Sequence, residues 1–326
     1  MILLTGATGF FGMNATQDLL ARGKKVLATD LANFPEMKED AFTPEEKNRL
    51  AFSRCDITSK EEVTELFENH KIEQVIHAAA ATVLMDEDEE KPRTVFDVNA
   101  GGTFNLLEAA KEFNISRFVY VSSSGVYGSA GKGVIPVHET TPYQPSGLYI
   151  AAKIYSELMC RRFSDFSPFT AKVARIGSPY GPWERPTGTR KNMSPIYKLV
   201  HMGFEKVKAK IFGADTVRDW THMKDIARGV VDIALEPEDS LNHFTYNITN
   251  GENVSMGYVA RKLEKLVTDF EYELVEDPGK ANINTKLSNP RGPLDITRLT
   301  KDCSFEPEYN IDKGLSNYID WIKKLE

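Results

Sequence analysis

A glycine-rich turn joins the first predicted strand of the chain to its first predicted helix. The apolar segment Ile2–Thr5 is typical of a buried strand, and a helical pattern runs from about Asn14 to Arg22. The turn between them contains Gly6, Gly9, Phe10, Phe11 and Gly12. Three glycines at these positions allow a sharp turn, a close approach to a diphosphate and packing of the helix on the sheet. The helix N-terminus then directs N–H groups at the anion, so the turn predicts a dinucleotide-binding α/β fold.

Strand and helix patterns alternate through the rest of the first half. Ser59 begins a capping box that opens a helix to about Asn69. The other predicted elements are strands at Lys25–Asp30, Phe52–Asp56, Gln74–His77, Phe118–Val121 and Thr170–Val173, and helices near Pro92–Phe113 and Tyr149–Phe163. Strands that alternate with helices form right-handed βαβ units, with a parallel sheet covered on both faces. The sequence therefore predicts a Rossmann-type doubly wound parallel sheet.

An acidic residue ends the second predicted strand. The carboxylate of Asp30 can accept hydrogen bonds from both hydroxyls of an adenosine ribose. The 2′-phosphate of NADP would stand about 4 Å from this carboxylate, a repulsion of about 4 kcal/mol at an effective dielectric constant near 20. No arginine occurs among the next three residues, which are Leu31, Ala32 and Asn33. The sequence therefore favours NAD over NADP.

The pattern changes after about Ile176, where proline and glycine become dense and the alternation fades. We interpret residues 1–175 as an NAD-binding domain to which 222–252 return, and 176–221 with 253–326 as a smaller, irregular substrate domain. A chain of 326 residues has the length for two domains of ordinary size.

Charge and hydropathy exclude several classes of partner. The 40 basic and 47 acidic residues give a net charge of −7, so nucleic acid is not an expected partner. The longest nearly apolar run, Val75–Met85, is too short to cross a bilayer. Met1 leads directly into Ile2–Leu4 without a basic leader, so no signal peptide is expected. The acidic run Asp86–Glu90 is interpreted as a solvated loop.

The three cysteines are scattered, at Cys55, Cys160 and Cys303. They form no CxxC spacing, so neither a disulfide framework nor a metal cluster is predicted, and a reducing compartment fits. We therefore expect a cytoplasmic protein that does not associate with a membrane.

Tyr149 and Lys153 are four residues apart, which places both side chains on one face of a helix. A tyrosine that accepts a proton near neutral pH needs a pKa roughly 3 units below its reference value. A neighbouring ammonium group and a positively charged nicotinamide ring could lower the pKa by that amount. The serines 122–124 leave a predicted strand at its carboxyl end, where open α/β sheets bind ligands.

Taken together, these motifs resemble the extended short-chain dehydrogenase/reductase family, in its branch of NAD-dependent nucleotide-sugar epimerases and dehydratases. The matching segments are Thr5–Gly12, Asp30, Asp56-Ile57, His77–Ala80, Val98-Asn99 and the pair Tyr149/Lys153. The family's catalytic hydroxyl lies four residues before the tyrosine of its VYG segment, which here is Ser123. The resemblance thus implies Tyr149 as acid and base, Lys153 as tyrosine tuner and ribose contact, and Ser123 as hydrogen-bond donor. It also implies cofactor contacts at Asp56, Ile57, Ala78, Ala79, Ala80, Asn99 and Pro179.

The resemblance extends to the substrate. The segment Arg175–Pro182 is similar to the family's R-x-x-N-x-Y/V-G-P segment, but Ser178 stands where the family has asparagine. Arg218 matches an arginine that contacts a nucleotide diphosphate, and Arg291 lies near the position of a second one. The implied substrate-binding residues are Thr82, Ser123, Ser124, Ser178, Arg218 and Arg291.

Two redox reactions remain open. The dehydratases of the branch carry Asp-Glu after their catalytic threonine, and here Ser124 and Gly125 stand there, which disfavours elimination and decarboxylation. One alternative is epimerisation of a nucleotide sugar, with C4 of a UDP-sugar as the default. The other is dehydrogenation of a smaller sugar, sugar acid or other hydroxy compound. A non-catalytic NAD-sensing protein is disfavoured because it would not need the three catalytic side chains.

The resemblance also implies a homodimer, since the corresponding family helices pair across a two-fold axis. The predicted helices carry more apolar residues than one sheet face requires, namely Phe104, Leu107, Ile154, Leu158 and Met159.

Overall fold

Seven strands of the chain form one parallel sheet in the part of the protein that the structure describes. That part comprises residues 1–34, 41–82, 90–187, 190, 192–286 and 291–324 of a computed structural model. Most of the acidic run Asp86–Glu90 lies outside it. The spatial order of the strands is β3-β2-β1-β4-β5-β6-β11. Their bounds are β1 Ile2–Thr5, β2 Val26–Asp30, β3 Leu50–Arg54, β4 Gln74–His77, β5 Arg117–Ser123, β6 Thr170–Ile176 and β11 Thr245–Ile248. This order is that of a doubly wound dinucleotide-binding sheet, so the predicted fold class is confirmed.

Helices cover both faces of this sheet, because its buried strands are apolar on both sides. One face packs against α1 (Phe10–Ala21) and α8 (Met223–Leu235). The other face packs against α3 (Lys60–Asn69), α5 (Gly102–Glu112) and α6 (Leu148–Phe166). The short helices α2 and α4 span Pro44–Lys47 and Pro92–Phe96. No described helix is both long enough and apolar enough to span a membrane.

Several strands and helices begin or end at residues other than those predicted from the sequence. Strand β3 begins two residues earlier than Phe52, and α1 begins at Phe10 rather than near Asn14. The predicted helix over Pro92–Phe113 is interrupted by a π-helical turn at Asp97–Gly101. The capping box is only half formed, since Ser59 accepts from the Glu62 N–H while the Glu62 carboxylate accepts from the Asp56 N–H. Local competition for hydrogen bonds decides such ends, and the sequence pattern does not resolve it.

The remaining elements build a second hydrophobic core. The helices α7 (Pro195–Phe204), α9 (Met256–Leu266) and α11 (Ile311–Lys323) surround it. Its strands are β7 Ser178–Tyr180, β8 Ala209–Phe212, β9 Val217–Arg218, β10 Trp220–His222, β12 Val254–Ser255, β13 Tyr272–Val275 and β14 Ile283–Asn284. The helix α10 (Thr297–Cys303) instead packs against α8 and β11. The separate core supports the proposed domain boundaries, which stay a prediction.

Candidate active site

The glycine-rich turn lies against the end of β4 and accepts only glycine at two positions. Gly6 has φ +67°, and a Cβ on it would stand 2.7 Å from the backbone nitrogen of Ala79. A Cβ on Gly12 would stand 2.2 Å from the Gly6 carbonyl oxygen. A Cβ on Gly9 would meet only the Gly6 carbonyl oxygen, at 3.2 Å, so its outer side is open. This shape leaves room for a diphosphate at the N-terminus of α1.

Asp30 lies beside this turn at the end of β2. One carboxylate oxygen accepts from the Thr8 N–H at 3.1 Å and from the Thr8 hydroxyl at 2.7 Å. The other accepts from the Ala32 N–H at 3.3 Å, and the residue is half-buried. The exposed side of the carboxylate is placed where a ribose diol next to the diphosphate could donate to it.

The segment after β4 forms a wall of the site. The N–H groups of Ala78 and Ala79 donate to the Thr5 hydroxyl at 3.2 and 3.1 Å. Asn99 is buried and closes on the backbone of Ala81, accepting from its N–H at 3.0 Å and donating to its carbonyl at 3.1 Å. The Asn99 amide thus holds the backbone of this wall in place, and the contact of Asn99 with the cofactor stays a prediction.

The two residues predicted to contact adenine, Asp56 and Ile57, also make contacts within the protein. The Asp56 carboxylate accepts from the N–H and the hydroxyl of Thr58, at 2.9 and 2.8 Å. Ile57 is buried, and its side chain packs against Gly102 at the start of α5. The adenine contact stays a prediction.

The three consecutive serines at the end of β5 point to three different partners. Ser122 is buried and donates to the Glu157 carboxylate at 2.5 Å. The Ser123 hydroxyl accepts from the Gly125 N–H at 3.1 Å, so its own proton remains available to a substrate oxygen. The Ser124 hydroxyl accepts from the Arg291 guanidinium at 2.9 Å. Of the three, Ser123 has the geometry that suits a hydrogen-bond donor to substrate.

Tyr149 and Lys153 lie on α6, next to the end of β5. The Lys153 ammonium donates to the Val121 carbonyl at 2.9 Å and lies 5.8 Å from the centre of the Tyr149 ring. Burial lowers the pKa of Lys153 to about 8, and the negative charge of Glu157 acts in the opposite direction. Burial raises the pKa of Tyr149 to about 12, and the positive charge of Arg190 acts against it. The positive charge of Arg190 therefore favours the phenolate that a proton acceptor needs.

A buried carboxylate behind this pair joins three elements. Glu157, one helical turn beyond Lys153, pairs with Arg175 at 2.6 Å and accepts from the Tyr143 hydroxyl at 2.9 Å. It also accepts from Ser122, as described above, so α6, β5 and β6 meet at one side chain. Burial raises the pKa of Tyr143 to about 12, which keeps this hydroxyl a donor.

The remaining predicted substrate residues lie on β7, at Thr82 and around the buried ion pair of Arg291. Ser178 and Pro179 lie half-buried on β7, which pairs with β10, and Thr82 forms a backbone bridge with Arg190. Arg291 is buried and pairs with Asp219 at 2.9 Å. This internal ion pair reaches Ser124, and the contact of Arg291 with a nucleotide diphosphate stays a prediction. Burial, together with the charge of Arg291, lowers the pKa of Arg218 to about 10.

A segment that sequence reasoning did not assign also reaches the site. The Pro182 carbonyl accepts from the Asn14 side chain at 2.9 Å, and Arg185 donates to the Thr8 carbonyl at 2.7 Å. The Arg190 guanidinium stands 5.0 Å above the ring of Phe10. The only sequence signal was the unusual stretch Trp183–Pro186, whose partners lie more than 160 positions away. Among the described residues, no group of three or more His, Cys, Asp or Glu side chains could hold a metal ion.

Comparison with known proteins identifies the family. The family model described as "NAD dependent epimerase/dehydratase family" matches residues 2–249 of this chain. The chain belongs to the NAD-dependent epimerase/dehydratase family. It is 31% identical to the UDP-glucuronate 4-epimerase of Thermodesulfobacterium geofontis, over 99% of this chain and 96% of that protein.

Solved structures of this family have the same fold. The UDP-glucose 4-epimerase of Thermotoga maritima, with UDP-glucose, superposes with a TM-score of 0.84 at 24% identity, over 100% of this chain and 99% of that chain. The UDP-glucose 4-epimerase of Thermus thermophilus, in complex with NAD, gives 0.79 at 23% identity, over 99% and 98%. The predicted family is thus confirmed, and the chain is an NAD-dependent enzyme of the extended short-chain dehydrogenase/reductase type. The glycine-rich turn and Asp30 fit this cofactor.

Proposed function

We propose that this family member epimerises a UDP-sugar at C4. The observation that carries the proposal is the arrangement of Ser123, Tyr149 and Lys153 beside the glycine-rich turn, with no acidic residue at positions 124 and 125. An elimination would need an acid and a base there, and Ser124 is instead occupied by Arg291. Relatives named as UDP-glucuronate and UDP-glucose 4-epimerases support the substrate class.

In the proposed reaction, Tyr149 accepts the proton of the C4 hydroxyl while Ser123 donates a hydrogen bond to the same oxygen. NAD, when bound, would serve as a reversible hydride acceptor, and inversion requires the C4 ketone of the sugar to present its other face before the hydride returns. The Lys153 ammonium stabilises the Tyr149 phenolate and is itself held by the Val121 carbonyl. Tyr149 then gives the proton back to the C4 oxygen, so substrate and product differ only in configuration.

The substrate pocket would be completed by Thr82, Ser124, Ser178, Arg218 and Arg291. Arg218 lies next to Asp219, which holds Arg291. Because Arg291 also donates to Ser124, the proposed nucleotide site and the serine segment are joined through buried side chains.

The test begins with the purified protein and no added cofactor. We expect denaturation to release nearly stoichiometric NAD, and UDP-glucuronate or UDP-glucose to be converted to its C4 epimer without net NADH, as followed by proton NMR. Accumulation of NADH only when NAD and an alcohol are both supplied would instead identify a dehydrogenase. The variant Y149F serves as the inactive control for the epimerisation assay and for the NADH assay.

A further inference from the structure

The segment that begins at Pro182 leaves the second core and lies along the cofactor side of α1. Besides the contacts of Pro182 and Arg185, the Trp183 indole donates to the Gln17 side chain at 3.2 Å. Trp183 itself adopts φ +71°, which turns the chain towards α1. At its other end, Arg190 forms the backbone bridge with Thr82. The described part of the segment therefore contacts both α1 and, at Thr8, the glycine-rich turn.

Two arginines of this segment contact that turn and the first residue of the helix that follows it. Arg185 donates to the Thr8 carbonyl, within the turn, and feels the negative charge of Asp30. Arg190 lies over Phe10, the first residue of α1, and is held there by Glu184 at 2.7 Å. Glu184 is itself buried and is fixed by the N–H and the hydroxyl of Ser194, at 2.6 and 2.8 Å. Both guanidinium groups are thus built into place rather than extended into solvent.

The glycine-rich turn and the N-terminus of α1 carry less positive charge than a bound diphosphate would need. A dinucleotide diphosphate carries about two negative charges, whereas a helix N-terminus supplies only about half a positive charge. The first turn of α1 carries no basic side chain, since it reads Phe10-Phe11-Gly12-Met13. Among the described residues, the Nε of Arg190 is buried with no hydrogen-bond partner. That donor is available to an acceptor that enters the site.

We propose that Arg185 and Arg190 form an arginine clasp that binds the diphosphate of NAD from outside the glycine-rich turn. Arg185 supplies positive charge that the turn lacks, and Arg190, whose charge is balanced by Glu184, supplies its Nε–H donor. Together they retain the cofactor between turnovers. The inference rests on NAD as the cofactor and not on the reaction, so it can fail while the proposed epimerase activity stands.

The first experiment measures retained NAD in R185A, R190A and R190K after dialysis at low and at high salt. Arg22 provides a matched control, because it caps the far end of α1 and pairs with Asp18 and Asp232. We expect R185A and R190A to lose NAD at salt concentrations where the parent protein and R22A retain it. R190K, which keeps the positive charge, should lie between them.

The second experiment separates charge recognition from a structural role. NAD-free protein is titrated with ADP-ribose, which carries the diphosphate, and with adenosine, which does not. Loss of one charge-assisted hydrogen bond weakens ADP-ribose binding about tenfold to hundredfold, and adenosine binding should not change. The salt dependence of ADP-ribose binding should also fall in R185A.

Equal losses for both ligands, or no loss for either, would overturn the clasp. If R190A fails to fold because Glu184 is left buried and unpaired, R185A and R190K still decide the question. Circular dichroism of each variant identifies that case.

Discussion

Burial of Tyr149 opposes the negative charge that a proton acceptor must carry. Its pKa is raised to about 12, so the phenol is protonated near neutral pH unless cations assist it. The charge of Arg190 lowers the pKa of Tyr149, the Lys153 ammonium lies 5.8 Å from the ring, and the nicotinamide ring of NAD would add a further positive charge when bound. The assignment of Tyr149 as acid and base therefore depends on its neighbours.

The substitution Tyr149→Phe tests that assignment. It removes the hydroxyl and keeps the ring, so turnover should fall at least about a hundredfold while NAD content stays near that of the parent protein. The measurement pairs the epimerisation rate with the NAD released on denaturation. A variant that keeps more than a few per cent of the activity would show that another group moves the proton.

A second residue, His77, makes the folding stability of the protein depend on pH. His77 is fully buried between the hydroxyls of Thr5 and Thr103, at 2.7 and 2.9 Å, and burial lowers its pKa to about 3. The unfolded chain binds a proton at this histidine below its usual pKa of 6.5, whereas the folded protein does not until about pH 3. Folding stability is therefore lost as the pH falls through this window.

Replacement of His77 by glutamine, which can still donate and accept, should reduce that dependence. Between about pH 7 and about pH 5.5, His77 accounts for a loss of about 1 kcal/mol in the free energy of unfolding. Urea unfolding at the two pH values measures the change in each protein. His222, whose pKa burial also lowers to about 3, remains in both and cancels in the comparison. An identical pH dependence for parent and variant would refute the prediction.

At the scale of elements, Glu157 fixes how α6 meets β5 and β6. Removing the Ser122 hydroxyl by alanine substitution breaks only the bond to β5, and the Glu157–Arg175 pair remains. We expect S122A to lose about 1 kcal/mol of stability and to turn over several times more slowly, because Ser123 follows Ser122 directly. E157Q, in contrast, leaves a buried arginine without its counter-charge and should cost about 3–5 kcal/mol.

Urea unfolding and steady-state kinetics separate these effects. Ser116→Ala is the matched control, since Ser116 also bonds to one acceptor, the Glu73 carbonyl, but far from the site. Its kinetics should stay at the parent level. Equal stability losses in S122A and E157Q would contradict the role of the charge pair.

The elements also show which parts of the site the sequence could predict. The glycine-rich turn and the Tyr149/Lys153 spacing are local, so their geometry follows from residues within one turn or one helix. Arg185 meets Thr8 across 177 positions, and Arg291 meets Ser124 across 167. Such pairs depend on how the second core docks on the sheet. The sequence could suggest an ion pair for Arg291 but not its partners, and it could not suggest that Arg185 reaches Thr8.

On the scale of the whole molecule, the described helices α4, α5 and α6 leave apolar side chains exposed. Of the residues first suspected there, Leu107 and Met159 are buried in the core behind α5 and α6, and Ile154 packs beside Val126. Phe104 and Leu158 are 40% and 54% exposed. Phe96, Tyr155 and Phe166 on α4 and α6 add exposures of 54%, 50% and 45%. An apolar surface on the packed helices α4, α5 and α6 suits a second copy of the chain.

The predicted homodimer can be tested on this surface. Leu158→Asp places a charge in the apolar patch, and it should shift the mass measured by light scattering from two chains to one. Leu274→Asp is the control, because Leu274 is 52% exposed but lies on β13, outside the patch. The control should keep the mass of the parent protein. A parent protein with the mass of one chain at micromolar concentration would refute the dimer. Loss of the dimer in both variants would place the interface elsewhere, because self-complementary contacts are lost only when their own patch is changed.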